Sequence, residues 1–288
     1  MPELSVVIVS YRCRDLLAAC LASLAVQRDD VDMEVFVLDN HSCDGTLEAT
    51  AEYSWVDSRD IGENIGFARA NNLGFARCTG RAVLALNPDT VVPPGALRAC
   101  LDRLWSSDDI GVLSPKLVDS EGRLDRRCKR GFPTIWSSFC YFTGLDRHLH
   151  DRFSTRYTAG WLSEDEAGDV ESVTGAFMLM PRDVLWQVGG FDEQFFMYAE
   201  DIDLCLRFIA VGKRVHYWPG VSVVHVGAGS NVKGHRPPAA DAAYFRTMAP
   251  FIRKHRPGIR GRITANLISV AAEVMYIASR MSARRELR

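Results

Sequence analysis

Short apolar runs alternate with amphipathic stretches from the first residues onward. Val6 to Ser10 reads VVIVS, a run of strand length, and Leu16, Leu17, Cys20, Leu21 and Leu24 then recur at helical spacing. A second run, Glu34 to Leu38, ends at Asp39 and Asn40, after which Asp44, Gly45 and Thr46 read as the cap of a helix reaching about Tyr53. Trp55 to Ile61 fits a short third strand, and a turn over residues 62–66 leads into a helix from Phe67 to about Arg77. Ala82 to Leu86 is apolar at every position, as expected of a strand covered on both faces, and a helix follows from Pro94 to about Trp105. This alternation predicts an α/β fold, a Rossmann-like, mainly parallel sheet flanked by helices.

Farther on, Ile110 to Ser114 reads as a strand and Val170 to Met180 as another, interrupted by Gly175, where a backbone or a substrate can approach closely. Between them lies a basic loop with Arg123, Arg126, Arg127, Lys129 and Arg130, either a solvated charge cluster or a set of cations for diphosphate groups. The aromatic stretch that follows (Trp136, Phe139, Tyr141, Phe142, Trp161) fits either core or the border of an acceptor groove. A helix is expected from Glu200 to about Val211, then closing strands at Val215 to Trp218 and Val221 to Val226. The pattern divides the chain into a catalytic unit over 1–235 and a helical extension over 236–288. In the extension Ile263, Leu267, Val270, Val274, Ile277 and Met281 fall on one helical face.

Composition narrows the class. With 288 residues, 47% hydrophobic and 24% charged, the chain is long and apolar enough to bury a large core. Its eight cysteines include no CxxC pair, which argues against a zinc knuckle or a disulfide framework and for reduced thiols in a cytoplasmic setting. The net charge of -2 conceals an asymmetry: ten Lys/Arg against two Glu from Arg246 to the end leave about -10 on the first 245 residues. A basic, amphipathic extension suits an anionic membrane surface at the inner face of the plasma membrane; packing on the catalytic unit or on a second copy in a homodimer is the alternative. The apolar core of the extension, about twelve residues, is too short to span a bilayer. Nothing aromatic is interleaved with its cations, so nucleic acid is not expected as a partner.

The candidate chemistry sits where such sheets bind ligands, beyond the carboxyl ends of the strands. Asn87, Pro88, Asp89 and Thr90 follow the Ala82 to Leu86 strand, and a carboxylate on a proline-stiffened turn can hold a hard cation that bridges phosphates, although an Asx-type turn alone explains the same residues. Glu200, Asp201 and Asp203 open a helix; the helix dipole favours acids there, but three in four residues exceed what capping needs, and crowding raises the pKa of one of them. Asn71 and Asn72, unfavourable inside a helix, imply specific hydrogen bonds to loops or to a ligand. His225, ahead of Gly227 and Gly229, is either a structural histidine or a ligand.

Together, the stretches VVIVSYR at 6–12, VLDNHSCDGT at 37–46, ENIGFARANNLG at 63–74, LALNPDTVVPPGAL at 84–97, TGAFMLMPRDV at 174–184, GGFDEQFFMYAEDIDLCLR at 189–207 and HVGAGS at 225–230 resemble the family 2 glycosyltransferases of the GT-A fold, and within them the bacterial rhamnosyltransferase-like members. The resemblance implies an inverting transferase that moves a sugar, L-rhamnose from dTDP-rhamnose first, from a nucleotide diphosphate to a polyprenyl-diphosphate-linked saccharide in envelope polysaccharide synthesis. UDP-galactofuranose, UDP-glucose and UDP-GlcNAc are the alternative donors. By the same resemblance Tyr11 and Asp39 would meet the base and ribose, Asn64 and Asn71 would shape the donor pocket, and Asp89 with His225 would hold Mg²⁺ or Mn²⁺. Asp201 would be the base, supported by Glu200 and Asp203. Asn87 replaces the first of the family's two metal-motif aspartates; its amide oxygen can still coordinate but brings no charge, which lowers metal affinity and leaves a catalytically weak nucleotide-sugar-binding module as the other reading. Where processive relatives carry QxxRW, this chain has Leu204, Cys205, Leu206 and Arg207, which favours single-sugar addition. A nucleotide-sugar synthase is disfavoured, because VVIVSYRCR lacks the glycine-rich, arginine-bearing loop of such enzymes. The arrangement requires Asp89 and Asp201 to face one cavity.

Overall fold

The computed structural model describes residues 1–149, 151–229, 238–259, 261–270 and 273. Strands β1 (Leu4–Ser10), β2 (Met33–Asp39), β3 (Val56–Asp60) and β4 (Ala82–Leu86) alternate with helices α1 (Arg14–Ala25) and α2 (Phe67–Phe75). Then come β5 (Thr90–Val91), α3 (Ala96–Trp105), β6 (Ile110–Val118), β7 (Lys129–Arg130) and α4 (Ile135–Thr143). The chain continues through β8 (Gly168–Val170), β9 (Ser172–Val173), β10 (Phe177–Pro181), α5 (Arg182–Val188), α6 (Glu200–Ala210), β11 (Arg214–His225) and α7 (Pro238–His255).

The main sheet runs β3-β2-β1-β4-β10-β6-β11-β5, with β8 added beside β11, and β7 and β9 form a separate ribbon. The first four strands are mutually parallel, and β6 and β11 are parallel to each other. β10 enters antiparallel between β4 and β6. All residues of β1, β4 and β10 are buried, the signature of strands sandwiched between helical layers. Aligned this way, β1, β2 and β4 bring Ser10, Asp39 and Asn87 to one edge of the sheet.

Several local expectations shift. The segment after Asp44 is only a turn of 3-10 helix, Leu47–Thr50, because side chains satisfy its backbone: Asp44 Oδ1 accepts from Thr46 N–H, and Thr50 Oγ1 donates to Leu47 O. The two closing strands are one, β11, with an irregularity between Trp218 and Ser222 where Pro219 cannot donate to the ladder. The Val170 to Met180 strand is divided into β8, β9 and β10 around Gly175. α4 had no periodicity to announce it, yet Thr134 and Ser137 close a reciprocal cap at its start.

The described part of the extension packs on α6. Met248 and Phe251 of α7 join Tyr157, Phe195, Ala199 and Ile202 in a second apolar cluster beside the main core. No helix among the described residues is long and apolar enough to cross a membrane. Val274, Ile277 and Met281 lie outside the described residues, whereas Ile263, Leu267 and Val270 are exposed, at 54%, 62% and 64%.

Candidate active site

β4 ends where Pro88 stops the ladder, and the turn it opens is tied at every corner. Asn87 N–H donates to Ala176 O at 3.0 Å, Thr90 Oγ1 donates to Asn87 O at 2.8 Å, and Val226 N–H donates to Asp89 O at 2.8 Å. β5 pairs antiparallel with the end of β11, setting His225 opposite Thr90 and its imidazole beside Asp89. His225 Nε2 lies 3.4 Å from Asp89 Oδ1 and 3.5 Å from the Asn87 amide, while Nδ1 lies 3.0 Å from Asp125 Oδ2. Burial alone would lower the His225 pKa, but its two flanking carboxylates, Asp125 and Asp89, outweigh that and hold it at about 9. Burial works against the Asp89 charge too; His225 and the Gly227 N–H more than compensate, keeping its carboxyl below the ordinary range.

These residues fit a divalent cation. Asp89 Oδ1 is buried and makes no hydrogen bond among the described residues, and 3.4 Å to a histidine nitrogen is an ion-pair contact rather than a hydrogen bond. A hard carboxylate oxygen, an imidazole nitrogen and an amide thus converge, and Asp125 orients the imidazole from behind as carboxylates do for metal-bound histidines. Among the described residues no three His, Cys, Asp or Glu side chains are placed to hold a metal ion by themselves, so a cation here would need further ligands from a diphosphate or from water.

Across the cavity, α6 begins after Tyr198 and Ala199, both at positive φ. That strained entry turns the first helical residues toward the sheet. Asp201 Oδ2 accepts from Arg130 Nη2 at 2.6 Å and from Gly175 N–H at 3.1 Å, and its Oδ1 accepts from Ile202 N–H at 2.8 Å. Glu200 is only 6% exposed, and its Oε2 has no hydrogen-bond partner among the described residues. Burial, reinforced by the Asp201 charge, pushes the Glu200 carboxyl up to about 8.

A cavity of about 230 Å³ joins the two acidic centres: Asn87, Asp89, His225 and Gly227 line one side, and Glu200, Asp201, Arg130 and Tyr157 the other. A larger cavity, about 360 Å³ between Arg81, Trp105, Arg182 and Lys213, opens at the amino ends of the parallel strands, the wrong end of an open α/β sheet for its ligand.

The other predicted residues divide. Tyr11 is exposed at the end of β1, with the Arg12 guanidinium over its ring. Asp39 is buried and engaged by Ser10 Oγ, Ser42 Oγ and Ser42 N–H, so its carboxylate already organises the loop after β2. Asn64 is exposed and accepts from Gly66 N–H in an Asx turn. Asn71 is buried and donates to Phe67 O within its own helix; Asn72 instead bonds both the N–H and the C=O of Phe191. Asp203 departs from its expected supporting role. Fully buried, it does not line the cavity, and it pairs with Arg207, Lys254 and His255 because its place on α6 faces α7.

The basic loop is neither solvated nor free. Arg126 pairs with buried Asp146 at 2.5 Å, Arg127 with Asp125, and Arg130 with Asp201; only Arg123 is largely exposed, with Asp119 and Glu121. Sequence reading passed over Asp125 and Tyr157 and left Arg130 undistinguished within the run. No local pattern marks a residue whose partner is 100 positions away, as His225 is from Asp125.

Residues 5–189 match the family described as Glycosyl transferase family 2. Over 302 aligned positions, covering 99% of this chain and 97% of the relative, the chain is 28% identical to an N-acetylglucosaminyl-diphospho-decaprenol L-rhamnosyltransferase of Mycobacterium tuberculosis. It is 27% identical to the rhamnosyltransferase WbbL of Escherichia coli over 76% of this chain and 82% of that one. Among solved structures, the mannosyltransferase PcManGT of Pyrobaculum calidifontis, in complex with GDP-Man and Mn2+, superposes with a TM-score of 0.63 at 19% identity over 99% of this chain and 75% of that one. TarS of S. aureus with UDP-GlcNAc gives 0.58 at 15% identity over 96% and 73%.

Proposed function

Since the chain belongs to glycosyl transferase family 2, we propose that it moves L-rhamnose from dTDP-rhamnose to a polyprenyl-diphosphate-linked saccharide, inverting the anomeric carbon. The observation that carries this reading is the single cavity bounded by Asp89 and His225 on one side and Asp201 on the other. The names of the similar rhamnosyltransferases support the sugar and the lipid-linked acceptor.

Asp89 and His225 would hold Mg²⁺ or Mn²⁺, which when bound supplies positive charge for the departing diphosphate. Arg127 lines the same cavity and adds a cation on that side. Asp201 takes the proton of the attacking hydroxyl. Its position across the cavity from the metal side suits attack opposite the leaving group, which inverts the anomeric carbon without a covalent intermediate. Arg130 and Gly175 N–H fix the Asp201 carboxylate so that it need not reorganise as the hydroxyl arrives. The exposed Ile263, Leu267 and Val270, flanked by exposed Arg253, Arg256 and Arg262, form the face that would rest on an anionic membrane at the cytoplasmic side, where a polyprenyl acceptor is embedded.

The test is turnover by the purified chain with Mn²⁺, a panel of nucleotide sugars and a GlcNAc-diphospho-lipid. Rhamnosyl transfer from dTDP-rhamnose with an inverted product is expected, and Asp201→Asn should bind donor while losing roughly 10²-fold or more in kcat. Preference for a UDP-sugar would replace the donor; full activity of Asp201→Asn would remove the base.

A further inference from the structure

Glu200 and Asp201 are adjacent, both buried, and both open onto the cavity. Their surroundings supply one positive charge at close range. Arg130, reaching in from β7, gives its Nη2 to Asp201 Oδ2 and to Val173 O, and backbone N–H groups of Gly175 and Ile202 complete the Asp201 shell. Glu200 receives none of these; its Oε2 is enclosed and without a partner among the described residues. The other charged or titratable groups lining the cavity are Tyr157 and Tyr198 from the neighbouring loops, and Asp89, Arg127 and His225 on the metal side.

Two neighbouring carboxyls sharing one buried guanidinium hold one negative charge more easily than two. The charge belongs on Asp201, where the donors are. A second carboxylate enclosed with one oxygen unpartnered among the described residues is a poorly compensated buried charge, whereas a protonated carboxyl avoids that penalty. A protonated carboxyl also has something an ionised one lacks, an O–H to donate. If the cavity takes the acceptor sugar, as the glycosyl-transfer reading requires, the natural acceptor of that hydrogen is a sugar hydroxyl oxygen.

We propose that Glu200 stands in the cavity as a neutral carboxylic acid and donates its hydrogen to a hydroxyl oxygen of the acceptor saccharide, orienting that sugar while Asp201 takes the proton of the reacting hydroxyl. The proposal rests on the glycosyl-transfer reading above. It makes Glu200 a positioning group and assigns no proton transfer to it. Since the ionised form cannot donate, acceptor binding weakens as rising pH passes the ionisation of Glu200, which lies above neutrality.

Two measurements on the full chain test it. With Mn²⁺, dTDP-rhamnose and a GlcNAc-diphospho-lipid as probes, the wild-type acceptor KM should rise about tenfold across that ionisation, the worth of one lost hydrogen bond at a buried site. Glu200→Gln keeps a donor and cannot ionise, so its acceptor KM should be independent of pH over the same range. Glu200→Ala should show a KM raised about tenfold throughout. A flat wild-type profile, or a Glu200→Gln enzyme whose kcat collapses while KM is unchanged, overturns the proposal, the latter by making Glu200 the base. The second measurement needs no substrate. Difference infrared spectra near neutral pH should contain a protonated-carboxyl stretch that vanishes in Glu200→Gln. Its absence from the wild type overturns the proposal whatever the turnover. Its presence without turnover on these probes counts against the rhamnosyl reading and leaves the neutral Glu200 in place.

Discussion

His225 is protonated at neutral pH between Asp89 and Asp125, and a cation can use its Nε2 only after that proton leaves. Metal affinity should therefore climb with pH and level off above about 9, where the histidine is neutral without help. Calorimetry of Mn²⁺ binding in buffers of different ionisation heat checks this: about one proton should be released per cation near neutrality and none at the plateau. Gly227 bounds the same centre from the short 3-10 turn that follows β11. A Cβ there would lie 1.8 Å from Asp89 Oδ2, far inside any contact distance, so Gly227→Ala must displace the carboxylate. Roughly tenfold to hundredfold weaker Mn²⁺ binding is expected, the range seen when the support of a ligand is disturbed. Unchanged affinity would remove Asp89 from the metal site.

At the scale of elements, α6 has two faces with different work. Glu200 and Asp201 turn into the cavity, while Asp203 turns to α7 and meets Arg207, Lys254 and His255. Lys254 also reaches Asp192 at 2.5 Å, so α7 is fastened to both ends of the segment that delivers the acids. Removing the Asp203 charge leaves the Arg207 and Lys254 cations against a buried amide, a loss of about 3 kcal/mol. Asp203→Asn should accordingly lower the midpoint of chemical unfolding and open α7 to proteolysis, with donor affinity retained. If it instead abolished donor binding at unchanged stability, Asp203 would belong to the site after all. The 125–130 loop makes a comparable link inside the cavity: Asp125 steadies His225 at one end and Arg130 steadies Asp201 at the other.

For the whole molecule, the charge asymmetry takes on a shape. In the described part of the extension, Met248 and Phe251 of α7 join the cluster against α6, whereas beyond Pro257 Ile259, Ile263, Leu267 and Val270 are exposed. Ile263, Leu267 and Val270 would each bury most of a side chain on entering a membrane interface, about 1.5–3 kcal/mol apiece if burial were complete. The triple change to serine should cut co-sedimentation with anionic vesicles by at least tenfold and leave neutral vesicles unaffected. Equal binding by the triple variant would turn attention to a partner subunit.

Much of this was legible in the linear chain. The apolar runs at β1, β2 and β4 suit buried parallel strands better than half-exposed ones, and polar residues at their carboxyl ends mark the ligand edge, because strand polarity puts them there. Asp89, Glu200, Asp201 and His225 could be named because each stands in a short pattern with a local meaning, a stop, a first helical turn or a glycine-flanked end. What no local pattern contains is the choice among like residues. Five cations crowd residues 123–130, yet only the fold decides that Arg130 serves Asp201 while Arg126 serves Asp146. Three acids open α6, yet only the fold turns Asp203 away from the cavity toward α7 and leaves Glu200 Oε2 without a partner among the described residues. Periodicity is a property of neighbours along the backbone and survives in one dimension; the charge a carboxyl carries depends on which groups come within a few ångströms, and those arrive from 26 to 100 positions away.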